Sequence, residues 1–456
     1  NLGDPQTISY GDGTAAVNYT YSNAGDLTQL IAGNVTQTYG YNSNHQVTAE
    51  SLSIDGKTFD LGYDYDSLGS LTALKYPNAE TLKFTANAFG QPSEASIVNG
   101  QTHASAAKYY PNGILNSFTF GNGIKHKTTL NARKMPSNIT DASDTVTALN
   151  LSYSYDDQAN ISAITDGVNN SYSLTDLSYD GLNRLTATTG NVGIGSSQIN
   201  YDGLGNITGY TSKGRQLDYS YDTTKNRLTK VTDAIGNKNY DFTNGYDSRG
   251  NVTNNGNRSF NFNRANQLSR SDGNSYIYDG HNRRVKTIDS QGTSYSVYGF
   301  DGKMRHRVLN GNWVNYIYLG DKLIAKDGII PLDSKASDSR QHHRPFGESI
   351  EAPKDDVGYT GHKFDTDLGL SYMQQRYMDP ALGRFMSNDP IGFRDVHSFN
   401  RYVYANNNPY KYTDPDGQAP RVRPFRPTPP PPATGSPTGS GPTQPYPDRP
   451  EGDRNS

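Results

Sequence analysis

Three Asp-Pro pairs stand in one short stretch of the chain: Asp379-Pro380, Asp389-Pro390 and Asp414-Pro415, the last followed at once by Asp416-Gly417. Two carboxyls brought together cannot both ionise cheaply, so one keeps a proton while the other can accept one from water. Such a pair supplies an acid and a base without metal or cofactor. Arg384 and Arg401 stand near enough in sequence to orient a carboxylate or polarise a carbonyl. The plainer reading of each Asp-Pro is a turn, because Asp accepts backbone N–H groups and Pro fixes φ. Asp379, in Tyr-Met-Asp-Pro, suits that reading best. With no cysteine in the chain, thiolate nucleophiles, thiolate metal sites and disulfides are excluded. His342-His343 has no i, i+4 partner and reads as a solvated loop pair. No cofactor and no metal are expected.

The elements that must hold these carboxyls are unusual in composition. Of 456 residues, 34 are Tyr against 15 Phe and 1 Trp, and 46 are Gly. Basic residues number 42 and acidic ones 45, a net charge of -3 that gives no steering toward nucleic acid or an anionic membrane. No apolar run approaches the ~20 residues of a membrane helix. The opening Asn1-Leu-Gly-Asp, without Met or a signal peptide, reads as an internal cut. Disordered chains are poor in aromatics and rich in net charge, and this one is neither. Many Tyr with few Leu and Val fit broad sheet faces, since Tyr buries a large ring while its hydroxyl keeps a polar partner.

A repeat runs through most of the chain. Tyr63-Asp-Tyr-Asp-Ser-Leu-Gly-Ser-Leu-Thr, Leu177-Ser-Tyr-Asp-Gly-Leu-Asn-Arg-Leu-Thr and Ile199-Asn-Tyr-Asp-Gly-Leu-Gly-Asn-Ile-Thr share one frame, as do segments from Tyr19, Tyr153, Tyr219, Tyr246 and Tyr276. Tyr21, Tyr41 and Tyr65, then Tyr155, Tyr179, Tyr201 and Tyr221, recur every 20 to 24 residues. Aromatic-x-Tyr has period two, so both rings face one side of a strand. Asp opens a turn, Gly or Asn supplies its positive φ, and Ile/Leu/Val-Thr starts the returning strand. Each copy is a β-hairpin. A lone hairpin is marginal in water, so the copies must pair edge to edge. Periodicity allows a spiral sheet, a β-solenoid or a propeller, the last disfavoured because no blade period of ~40–45 residues stands out. The Asn-x-Ser/Thr triplets at Asn138, Asn206 and Asn251 fall within these repeats and are poor glycosylation signals.

These are Tyr-Asp repeats, and residues 1–330 resemble the YD-repeat region of the Rhs (rearrangement hotspot) family. The resemblance implies an all-β fold: a long spiralling antiparallel sheet of hairpins forming a hollow shell or cocoon. From His343-Arg-Pro-Phe-Gly-Glu the pattern changes. Gln375-Arg-Tyr-Met-Asp-Pro, Gly383-Arg-Phe-Met-Ser-Asn-Asp-Pro, Asn400-Arg-Tyr-Val-Tyr-Ala-Asn-Asn-Asn-Pro and Asp414-Pro-Asp-Gly follow in order. This resembles the Rhs-associated core domain, over 331–418, with residues 327–357 as a loop leading in. In that family the core plugs the shell and is an intramolecular aspartyl protease acting once, just after D-P-x-G. The resemblance implies Asp389 and Asp414 as the catalytic pair with Arg401 orienting, and Gly417, Gln418 and Ala419 around the cut. Asp416 is a weaker competitor. Cleavage is expected after Gln418, with the Gly417–Gln418 bond second. Gln418 stands where relatives carry Leu, and Val396-His397-Ser398 where they often carry Gly-Gly-Leu, which weakens positioning of the bond more than the chemistry.

Residues 419–456, rich in Pro, Thr, Gly and Ser, read as an extended linker too poor in apolar residues to be a folded toxin. Either an effector domain follows this chain or the tail is the only cargo. By resemblance the protein is the encapsulation shell of a bacterial polymorphic toxin used in interbacterial competition. It is expected to assemble in the cytoplasm and to be secreted or delivered at the cell surface. Its partners are then a C-terminal toxin segment and secretion or delivery proteins, with no nucleic acid and no membrane-spanning segment. The alternative is an extracellular carbohydrate-binding or adhesion repeat protein with an inactive core domain, its Tyr rings exposed for sugar stacking.

Overall fold

The computed structural model describes residues 4–328, 340–393 and 396–422, without the side chains of Val396 and His397. The Pro-rich tail from 423 and residues 329–339 of the expected loop lie outside them. Within each sheet, strands successive in sequence pair antiparallel. From Thr7–Ile8 to Tyr240–Asp241, 22 strands make one meandering sheet. A second sheet of 8 strands runs from Phe260–Phe262 to Lys322–Gly328. Helix among the described residues is confined to short 3-10 turns such as Asn170–Tyr172. Each of the two sheets is an unbroken antiparallel meander, which is neither a solenoid nor a set of blades.

The repeat's chemistry explains each link. In the hairpin of Lys57–Tyr65 and Leu71–Lys75, Asp66 Oδ1 accepts from Leu68 N at 2.9 Å and Ser70 N at 2.8 Å, while Gly69 takes φ 82°. Asp202 repeats this with Leu204 and Asn206, both at 2.9 Å. Asn183 supplies the positive φ at 60°, as expected, but His45 at 60° and Ala159 at 62° fill the same position, so the side-chain bonds of the turn outweigh the cost of a Cβ there. Tyr65 faces Leu71 while Asp64 faces Ala73, leaving Thr72 as an extra residue whose Oγ1 donates to Asp64 O at 3.1 Å. The Thr of the repeat thus serves a bulge as well as a strand start.

Tyrosine joins one hairpin to the next. Tyr65 Oη donates to Val47 O at 2.8 Å, Tyr179 to Ile161 O at 2.7 Å, Tyr201 to Leu185 O at 2.8 Å and Tyr221 to Ile207 O at 2.9 Å. In each case the acceptor opens the returning strand of the preceding repeat. The ring fills the apolar space between turns while its hydroxyl satisfies a carbonyl at the strand end, contributing about 1 kcal/mol net per bond. Asn206 and Asn251 are buried in these turns, bonded to Asp202 and Asp247.

One face of the wall is covered by the chain itself. Leu52, Leu61, Leu74, Leu82 and Phe118 pack with Val285, Val297 and Ile317 of the second sheet. Ile199, Ile207, Leu217, Leu228 and Val231 pack with Phe346, Leu370, Met378 and Phe385 of the C-terminal block. Burying each such side chain contributes roughly 1.5–3 kcal/mol. Polar contacts fix the register: Lys286 meets Asp55 at 2.6 Å, and buried Glu50 accepts from Tyr63 Oη and Phe300 N, both at 2.7 Å. His342 departs from the solvated pair expected of it. Its ring stacks on Tyr172 at 3.5 Å and its Nδ1 meets Glu351 at 2.7 Å, because the loop after 340 folds back onto the wall.

Candidate active site

The C-terminal block is built on four short strands, Lys363–Asp365, Leu370–Met373, Arg376–Asp379 and Arg384–Phe385. Arg376 heads the third, after a two-residue hairpin in which Gln374 takes φ 56°. It is almost fully buried, and its guanidinium carbon lies 3.5 Å from the centre of the Phe385 ring. A buried guanidinium must satisfy its donors, and here the partners come from distant segments. Nη2 meets Asp414 Oδ2 at 3.0 Å and Asp389 Oδ2 at 3.6 Å. Nε donates to Gly417 O at 2.5 Å and Nη1 to Arg401 O at 3.3 Å.

Asp389 lies on a stretch that runs beside residues 401–403. Its N–H donates to Arg401 O at 2.9 Å, the Arg401 guanidinium donates to its carbonyl, and its Oδ1 accepts from Ile391 N at 2.8 Å. Arg401 therefore fixes the main chain of Asp389, and the guanidinium that meets both carboxylates belongs to Arg376. Arg384 packs over the rings of Tyr402 at 4.7 Å and Tyr221 at 5.7 Å. Asp379 caps its own turn, accepting from Ala381 N at 2.9 Å and Leu382 N at 3.1 Å, in keeping with the turn reading.

Asp414 closes the site. Strands Tyr412–Thr413 and Arg421–Val422 pair, so residues 414–420 form the loop between them. In that loop Asp414 Oδ1 accepts the N–H of Ala419 at 3.1 Å, the amide nitrogen of the Gln418–Ala419 bond. The Asp414 carbonyl accepts from His362 Nε2 at 2.9 Å. Burial pushes the His362 imidazole down to about 4, so the ring is neutral and its Nε2–H is the donor. Gly417 takes φ 75°, and a Cβ there would sit 2.2 Å from Met373 O, so only glycine lets the loop approach so closely. Burial pushes the Asp414 carboxyl up, the Asp416 and Asp389 carboxylates add to this, and Arg376 opposes it. A carboxyl whose hold on its proton is raised by burial, beside an amide nitrogen, can donate to that nitrogen as it becomes an amine.

The structure thus gathers Asp389, Asp414, Gly417 and Ala419 around one arginine. Sequence reasoning passed over Arg376 and His362. The signal for Arg376 was an arginine opening the strand Arg-Tyr-Met-Asp in an otherwise apolar block, since a buried cation must be paired.

No family model matches the chain. Over 275 residues it is 29% identical to the tRNA3(Ser)-specific nuclease WapA of Bacillus spizizenii, an overlap of 59% of this chain and 11% of that protein. Over 72 residues it is 39% identical to the probable deoxyribonuclease RhsA of Dickeya dadantii, 16% of this chain and 5% of that protein. The chain spans only these small shares of the curated relatives. In three dimensions it matches a chain of the Photorhabdus luminescens Tc holotoxin pore with a TM-score of 0.64 at 16% identity, over 91% of this chain and 25% of that one. The two share a fold. The spiralling antiparallel shell expected from the repeats is the architecture of this chain. Among the described residues no helix is long and apolar enough to cross a membrane.

Proposed function

We propose that this chain is the closing part of an Rhs-type toxin shell, and that it cuts its own backbone once, between Gln418 and Ala419. The division is a repeat wall over 1–330, a core over 331–418 that plugs it, and a segment from 419 that is set free. The observation carrying the reading is the hydrogen bond from Ala419 N to Asp414 Oδ1, made while Asp389 and Asp414 share Arg376. Asp389 takes a proton from water, and the water oxygen adds to the carbonyl carbon of Gln418. Asp414 gives its proton to the Ala419 nitrogen as the C–N bond breaks. The products are a Gln418 carboxyl terminus and an Ala419 amine, and the proton lost by Asp414 equals the one gained by Asp389. Arg376 holds Gly417 O and both carboxyls in register throughout, which is positioning and electrostatics of the kind that carries most catalysis.

The likeness to WapA, RhsA and a Tc holotoxin chain supports a toxin segment as the partner, carried by a secreted or surface-delivered bacterial protein. The carbohydrate-binding alternative needs exposed Tyr faces, whereas the repeat tyrosines spend their hydroxyls on the neighbouring strand. Intact mass tests the reading. The purified wild type should appear as residues 1–418 and 419–456, and Asp389→Asn and Asp414→Asn should each stay whole. A wild type that remains at full mass, or an Asp414→Asn chain cut at the same bond, would falsify it.

A further inference from the structure

Asp416 sits two residues before the bond assigned above to the cut, and its two oxygens reach opposite sides of it. Oδ1 accepts from Gln418 N at 3.1 Å, upstream of the bond. Oδ2 meets Arg421 Nη2 at 3.3 Å, downstream of it. The Asp416 carbonyl accepts from Gln375 N at 3.1 Å, beside the hairpin that leads into Arg376. Thr413 and Arg421 face each other in the two-residue ladder that closes the loop, as do Tyr412 and Val422. The segment after the bond is thus anchored to this chain as well, through the ladder and the ion pair.

We propose that Asp416 is a positioning residue that brackets the Gln418–Ala419 bond, with Arg421 as its downstream anchor, so that the cut depends on the residues that follow it. The proposal rests on the self-cleavage reading. It concerns the loop that carries Gln418, at which this sequence departs from the pattern it resembles, and it supplies a polar hold where an apolar anchor is missing. The ladder has only two pairs, and the ion pair is solvent-exposed, with side chains 27% and 59% accessible. Contacts of that kind are weak when the two sides are separate. They hold while the chain is continuous, because the loop keeps their effective concentration high, and they loosen once the bond is broken. The same device that presents the bond therefore lets the new amine leave and makes the cut one-way. The Asp416 charge also pushes the Asp414 carboxyl up.

The test is the first-order rate of scission, read by intact mass on the full chain refolded from denaturant. Asp416→Ala should slow scission at least 10-fold. Arg421→Ala should slow it about 3-fold and abolish its salt dependence, since the wild-type rate should fall toward the Arg421→Ala rate as salt screens the pair. Arg421→Lys should restore most of the rate. Asp416→Asn keeps an acceptor for Gln418 N but loses the charge, and should move the alkaline limb of the pH profile to lower pH. Rates within 2-fold of wild type for both Asp416→Ala and Arg421→Ala, with scission still occurring, overturn this inference and leave the parent reading standing. A wild type that is never cut overturns both.

Discussion

The carboxyl of Asp414 and the backbone nitrogen of Ala419 are 3.1 Å apart, five residues along one closed loop, with the Asp414 carboxyl fully buried and pushed up by that burial. The acid and the leaving atom of the proposed cut are therefore neighbours before any reaction begins. The cost of bringing them together is met by folding, through Arg376, His362 and the glycine at 417.

The rate of scission should depend on pH through Asp414. Its proton is needed on the leaving nitrogen, so the rate should hold to a pH above the ordinary carboxylate range and fall as Asp414 ionises. Quench-flow or timed gels from pH 5 to 9, on chain released from denaturant, measure this; a rate that rises steadily with pH would rule out Asp414 as the acid.

Arg376 should tolerate no substitution. Arg376→Lys keeps the charge but cannot meet two carboxyls, Gly417 O and Arg401 O together, and should slow scission on the order of 100-fold. Arg376→Leu leaves buried carboxyls without their cation and should cost about 3 kcal/mol of stability, read by urea unfolding.

Tyr201→Phe should leave Leu185 O without its donor while keeping the ring. The expected loss is about 1 kcal/mol, and the same change at Tyr179 should cost a similar amount, because both make the same bond in successive repeats. Denaturation midpoints decide it, and no loss at either site would mean the tyrosine ladder does not link the hairpins.

Glu50 should make the wall less stable as pH rises. Burial pushes its carboxyl to about 7 from 4.5, so between these values the folded chain binds a proton that the unfolded chain has released. Stability then falls from pH 4.5 to 7 by on the order of 3 kcal/mol and is flat in this group above that. Glu50→Gln should flatten that slope, as seen by unfolding at pH 5 and pH 8; an unchanged slope would show that Glu50 titrates normally.

Much of this protein is written locally. The Tyr-x-Tyr-Asp frame, its turn residue and the Thr that follows specify strand, turn and bulge within ten residues, because alternation, Asx bonding and positive φ are short-range effects. That is why the all-β wall and its hairpins were legible from residues such as Tyr63, Asp66, Gly69 and Thr72. Asp389 and Asp414 were legible as candidates, from the motifs that carry them, and both lie beside Arg376 in the folded chain.

What needed the folded chain is every relationship between residues far apart in sequence. Nothing local says that Arg376 will lie between Asp389 and Asp414, that His362 will hold the Asp414 carbonyl, or that Glu50 will receive Phe300 N from another sheet. Nor does His342 announce that it will stack on Tyr172. Those partners are chosen by which faces of the wall and the C-terminal block come together. Buried charges and donors then pair with whatever that packing brings within reach, and the same packing pushes the Asp414 carboxyl up.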